Sequence, residues 1–425
     1  MKTRTDFTST KQARALAPEV IALLVPVPAA IAATKNGLME LVQRMGLSAL
    51  DELLRLDAEK IAGPKGRHRA RRTRNHWGTA PGELTFGGRR VRVTRLRVRD
   101  REEGEVALPM WELANAADPL PARVEQQIAL GVSTTRYADS LEGFALEVVT
   151  RGTSKRSASR GLIGKTKERL REFLSQRLDE LELCAIFIDG IVLGGATVVV
   201  ALGVATDGTK VPLGLWQGST ENAALGVALL NDLVERGLRV DGRMLFVVDG
   251  GKGVGKALTD VFGDRAVVQR CQVHKRRNVH EQVTEARRSY VQRQMNDAYG
   301  SAGAKLARGR LKQLASWLEN NSEPGTAASV REGLEESLTV LKLELPKALQ
   351  RTLATTNLVE NLNGAIRRVT RNVKRWRKGP SQMIVRWAAL GIAEGSRRFR
   401  RVKGHKHLPQ LVDALRAVDQ IRESA

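Results

Sequence analysis

Aromatic side chains are scarce in this chain: Phe, Trp and Tyr make up 4% of 425 residues. Core volume must come from Leu, Val, Ile and Ala, and 42% hydrophobic content is ample for real cores. Cysteine is nearly absent. Only Cys184 and Cys271 occur, each in or beside a strand-like run, so no disulfide framework is readable and a reducing, cytoplasmic interior is expected. No apolar run is long enough to span a bilayer. The longest, at 20–33, contains Pro26 and Pro28 and lacks the small-residue cleavage site of a signal peptide. Internal repeats and low-complexity segments are missing too. Acid is short against base: 46 Asp+Glu face 70 Lys+Arg, a formal net charge of +24. Charge of that size speaks to partners and not to fold. The bases fall in separated runs at 65–74, 89–101, 275–277, 367–378 and 397–406. Nucleic acid suits such runs better than a membrane, for which one basic amphipathic helix is more usual.

A chain of this length is expected to hold two to four domains. Residues 1–60 read as helical, with Leu38, Leu41, Val42, Met45 and Leu47 at near-helical spacing. In 61–120 a basic arm precedes a β-hairpin, where Leu84–Phe86 and Val91–Val98 alternate around Gly87-Gly88. The phase slips at Leu96, which predicts a bulge. Arg90, Arg92, Arg95 and Arg97 form a basic stripe on the other side of that strand. Short helices with glycine turns over 121–178, the last opening on Ser154 and carrying Lys155, Arg156 and Arg160, predict a helix-turn-helix-like DNA-binding region.

Residues 179–280 are the clearest α/β region. Strands are expected at 184–189, 196–205 and 211–216, joined too tightly for helical crossovers and therefore antiparallel. Helix, strand, helix and strand follow at 221–236, 244–248, 254–261 and 266–270. That order is the ribonuclease H-like mixed sheet. Residues 281–352 carry no strand signal and read as an all-α insertion; 353–400 return to the core, and 401–425 read as a basic tail.

Two apolar runs of this region end in acid, Cys184–Asp189 and Met244–Asp249, and Glu360 lies in a helical stretch far downstream. Carboxylates at the ends of buried strands are costly unless a cation balances them. Three that converge would make an oxygen cage for Mg²⁺, and beside so much basic charge the substrate would be a phosphodiester. Taken singly, each has an ordinary explanation: Asp before Gly is usually a turn residue, and Glu360 could be a solvated helical Glu. Asn357, Asn361 and Asn363 flank Glu360 on a helix that otherwise contacts core, and would hold waters or phosphate oxygens.

Two other motifs compete. Gly250–Ala257 nearly matches a phosphate-binding P-loop, but Ala257 replaces the Ser or Thr that would bind Mg²⁺. A P-loop ATPase acting on DNA is thus the weaker alternative. Cys271-Gln-Val-His274 is a lone C-x-x-H with no second pair at zinc spacing, so a buried Cys271 and a His274 opening a helix beside the carboxylates are expected.

FIDGIVLGG, LFVVDGGKG, QRCQVHKRRNV and TTNLVENLNGAIRRVTR together resemble the transposases of the IS256 and Mutator-like superfamily. The resemblance is specific over 183–405 and weaker over 60–180. It implies that Asp189, Asp249 and Glu360 form a DDE site for Mg²⁺ or Mn²⁺, two ions in all, and that Cys271 and His274 are the family's C-x-x-H signature beside it. It implies double-stranded DNA as partner, both terminal inverted repeats and target, with cleavage and strand transfer by in-line displacement and no covalent protein–DNA intermediate. A homodimer or higher oligomer is implied by synapsis of two ends. Candidate DNA contacts are the hairpin and helix residues above, with Lys275, Arg276, Arg277, Arg367, Arg368, Arg371, Lys374 and Arg375. A non-catalytic DNA-binding descendant is the other alternative.

Overall fold

The structure is a computed structural model describing residues 37–66, 72–116, 118–144, 149–219, 222–377 and 379–423. The apolar stretch at 20–33, residues 1–36 of the expected 1–60 helical region and part of the first basic run lie outside them. The chain divides into two units, up to Lys165 and from Thr166 onward.

In the first unit α1 (Gly37–Ala62) precedes β1 (Arg74–Phe86), β2 (Arg89–Asp100) and β3 (Gly104–Val106). Then come α2 (Pro109–Asn115), α3 (Leu120–Ala129) and β4 (Thr150–Arg151). The strands form one antiparallel sheet, β1-β2-β3, with β4 also on β2. Ala58 and Ala62 of α1 pack on Val98 and Leu108. The hairpin is longer than its sequence signal, because β1 begins at Arg74 inside the expected arm. The bulge falls at the expected rung on the opposite strand. His76 pairs with Val98 and Thr79 with Leu96, so the extra residue belongs to β1, where Gly78 has φ +79.

The helix-turn-helix expectation is corrected. After α3, residues 138–140 make only a 3-10 turn, and a strand paired with β2 intervenes before α4 (Lys155–Ser175). Tyr137 explains the change: its ring is buried, and its hydroxyl donates to the Gly88 carbonyl at 2.8 Å, tying this segment to the hairpin.

The second unit is built on a five-stranded sheet ordered β7-β6-β5-β8-β9. β5 (Leu183–Leu193), β6 (Ala196–Ala205) and β7 (Lys210–Gly218) are antiparallel. β8 (Met244–Val248) and β9 (Ala266–Arg270) run parallel to β5, reached through α5 (Ala223–Glu235) and α6 (Lys252–Phe262). Both faces are covered, as the near-continuous apolar runs require. Ile186, Ile188, Phe246 and Val248 face α5 and α6. Alternate residues Ala185, Phe187, Leu245 and Val247 face the C-terminal helices.

The insertion is entirely helical. It comprises α7 (Gln272–Gln282), α8 (Arg288–Tyr299), α9 (Ala304–Asn320), α10 (Pro324–Arg331) and three short helices at Leu334–Ser337, Thr339–Lys342 and Lys347–Leu353. It has its own core, with Val291, Met295, Leu311, Leu314 and Leu338. It also covers β9, the strand at the sheet's edge. The buried Gln269 donates to the Ser337 carbonyl at 3.0 Å and accepts from Val340 N at 2.8 Å. The chain then returns through α11 (Asn357–Thr370), α12 (Met383–Ser396) and α13 (Leu408–Glu423). The last of these corrects the expected basic tail: Leu408, Leu411 and Leu415 recur at helical spacing and are buried in the sheet core. Among the described residues no helix is long and apolar enough to cross a membrane.

Candidate active site

Strand register brings the two Asp together. Ile188 pairs with Val248 across the parallel β5/β8 ladder, so Asp189 and Asp249 are the next residues on neighbouring strands. Asp189 does not end its strand as expected. β5 runs on to Leu193 against β6, and only the pairing with β8 stops there. Asp189 shares parity with Phe187, which puts it on the sheet face covered by Val359, Leu362 and Ile366 of α11. Its carboxylate is 8% exposed, and Oδ2 accepts from Asn363 Nδ2 at 2.8 Å. Burial, then the negative charge of Asp249, raises its pKa to about 6; His274 and the Asn363 hydrogen bond oppose this, and Glu360 adds to it. Asp249 opens the turn after β8. Gly250 there has φ +104, and Gly251 N–H donates to Asp249 Oδ1 at 2.8 Å. That bond occupies the glycine-rich loop in holding a carboxylate, which does not suit a P-loop.

Glu360 sits in the first turn of α11, where a carboxylate also complements the helix dipole. Thr356 Oγ1 donates to its Oε1 at 2.7 Å, and His274 Nε2 lies 3.7 Å from the same oxygen. Cys271 is fully buried at the N-cap of α7. Its sulfur accepts from Thr356 N at 3.4 Å and His274 N at 3.5 Å, and lies 3.3 Å from Thr356 Oγ1, whose one proton goes to Glu360. Burial works to raise its thiol, yet the hydrogen bonds from His274 and Thr356 outweigh it and hold the thiol below its usual range. His274 rises to about 9, chiefly through its hydrogen bond to Cys271 and then the charges of Cys271, Glu360 and Asp189, against the effect of burial. The C-x-x-H pair is thus not alone. Glu360 joins it, and ligand atoms of the three lie within 4.8 Å of one another. Sequence reasoning set His274 beside the carboxylates but did not single out Glu360 as its partner, because Glu360 lies a whole insertion away. It missed Thr356 because nothing marks one hydroxyl among many.

Carboxylate oxygens are the ligands that a hard divalent ion takes. Three carboxylates sit in one electrostatic neighbourhood, and Asn363 Oδ1 is buried there without a hydrogen-bond partner. Of the three asparagines singled out, only Asn363 reaches the acids; Asn357 and Asn361 are exposed.

The expected DNA contacts divide. Arg92, Lys155, Arg156, Arg160, Arg277, Arg367, Arg368, Arg371, Lys374 and Arg375 are exposed. Arg90 pairs with Asp118 at 2.7 Å, and Arg95 and Arg97 share Glu105, each at 2.7 Å. Arg276 is half-buried over the Tyr299 ring at 5.9 Å. Lys275 is corrected: it is 1% exposed, and its Nζ donates to the Ser329 and Glu332 carbonyls at the end of α10, out of reach of DNA.

The family profile described as "Transposase, Mutator family" matches residues 112–385, well over half the chain. Several insertion-sequence transposases are similar. That of ISRM3 from Rhizobium meliloti is 33% identical over 202 residues, 45% of this chain and 49% of the relative. A probable transposase from Corynebacterium diphtheriae is 28% identical over 240 residues, 55% of this chain and 68% of the relative. That of IS406 from Burkholderia multivorans is 27% identical over 304 residues, 69% and 73% of the respective chains. The match thus spans about half the length of the ISRM3 relative.

Proposed function

Because the chain belongs to the Mutator family of transposases, we propose that it is a DDE transposase in which Asp189, Asp249 and Glu360 hold Mg²⁺ or Mn²⁺, two ions in all, and cut and join DNA at element ends. The observation that carries the reading is the β5/β8 register, after which Asp189 and Asp249 are the next residues on neighbouring strands, with the charges of Asp249 and Glu360 both acting on Asp189. The strand order β7-β6-β5-β8-β9 supports a ribonuclease H-like core. When bound, the ions would supply charge stabilisation to both oxygens of an in-line phosphoryl displacement. The chain's own residues prepare the site. Gly251 N–H orients Asp249, Thr356 Oγ–H orients Glu360, and the His274 imidazolium offsets part of the carboxylate charge. Cys271 in turn accepts from the backbone N–H groups of Thr356 and His274. The exposed Arg and Lys residues named above would bind the phosphate backbones of terminal inverted repeats and target, which is affinity without sequence readout. Two ends require two sites, hence a homodimer or higher oligomer on DNA, in the cytoplasm with the nucleoid.

The test is Asp189→Asn in the full chain. Cleavage of DNA bearing element ends should fall by about three orders of magnitude, while binding measured by mobility shift is kept. Undiminished cleavage sinks the assignment. DNA binding by the unaltered chain without metal-dependent nicking favours the non-catalytic descendant instead.

A further inference from the structure

Asn363 is an expensive residue where it stands. It lies three positions past Glu360 on α11, between Leu362 and the buried Ile366, and is itself 1% exposed. Only half of its amide is used. Nδ2 donates to Asp189 Oδ2 at 2.8 Å, and Oδ1 has no partner. Turning the amide over cannot cure this, because it would set one oxygen against another; a carboxylate accepts and does not donate. A buried carbonyl left bare is disfavoured unless a donor arrives. Oδ1 hangs on the same carbon as the nitrogen that touches Asp189, so it is within one water molecule's reach of that carboxylate. A water in the shell of a divalent ion is a strong donor with hydrogens to spare. An Asp in this place would bring a fourth negative charge, and a Leu would fill the space without binding anything.

The geometry points to Asn363 as the positioning residue of the acidic site: its N–H fixes the Asp189 carboxylate, and its bare carbonyl receives a water of the ion that Asp189 holds. This rests on reading Asp189 as a metal-holding carboxylate. It differs from a merely structural clamp between α11 and β5, which would alter stability and leave ion affinity alone. Partners behind metal ligands typically change affinity by about 10–100-fold when removed.

Mn²⁺ binding to the full chain, followed by isothermal titration, separates the two. Asn363→Leu keeps the volume, and Asn363→Ala serves if the longer side chain disturbs packing; a cooperative thermal transition verifies that each folds. Both should bind Mn²⁺ about 10–100-fold more weakly than the unaltered chain. Wild-type affinity in a folded Asn363 variant overturns the role given to Asn363 and leaves Asp189 untouched. Wild-type affinity in Asp189→Asn removes the metal site itself, and both readings with it.

Discussion

The Asp189 carboxyl titrates near 6 in the folded chain against 3.8 for an ordinary Asp, first through burial and next through Asp249. The folded state therefore holds this proton more tightly than the unfolded chain does. Its contribution to stability is favourable at low pH, is lost as pH rises between the two values, and weighs fully against the metal-free fold above about pH 6. A bound divalent ion competes with the proton. Thermal stabilisation by Mn²⁺ should thus be full above about pH 7 and shrink below about pH 6; a shift that stays flat in melts across that range contradicts the site. Lys275 makes a second prediction. Lys275→Ala takes the side-chain donor from the Ser329 carbonyl, while the Glu332 carbonyl keeps Arg270 Nη1 at 3.3 Å, and should cost about 1–3 kcal/mol in urea unfolding, with the salt dependence of DNA binding unchanged. The sequence shows Lys275 as one of three adjacent bases, and a run of like residues conceals direction. Successive residues on a helix point about 100° apart, so Lys275 faces inward while Arg277 faces solvent.

The helix that carries Glu360 is seated by close contact with α12. A Cβ at Gly391 would stand 2.5 Å from Ile366 Cα, and one at Gly395 would stand 2.9 Å from Ala365 Cβ. Gly391→Ala should push α11 away from α12, cost about 1–3 kcal/mol and lower cleavage more than DNA binding, as paired melting and activity assays would register. Much at this scale was legible beforehand. The order of strands and helices in the second unit follows from apolar runs and from connections too short for a crossover. What escaped was decided by partners distant in sequence. β5 continues past Asp189 because β6 still pairs with it. Among the described residues between α3 and β4 there is a 3-10 turn and no second α-helix, and Tyr137 is anchored to Gly88. Basic composition around 397–406 masked the apolar spacing of Leu408, Leu411 and Leu415. In the candidate site the two Asp could be read from the ends of apolar runs, whereas Thr356 and the Cys271–Glu360 link depend on a contact that closes only in three dimensions.

For the whole molecule the net charge of +24 predicts DNA binding that weakens steeply with salt. Lys374→Ala and Arg375→Ala should each flatten the slope of log K against log salt by about 1. Arg97→Ala should do less, because Glu105 already engages that guanidinium; equal slopes for all three would refute the ranking. The insertion has another property. Gln272 N–H meets the Ala354 carbonyl at 3.0 Å, and Cys271 Sγ meets Thr356 on the far side of the same excursion. The chain leaves and re-enters the core at one knot, like a side road that returns to its own junction. Lengthening or trimming the outer turns of that excursion should leave both junctions, and the acids beside them, in place.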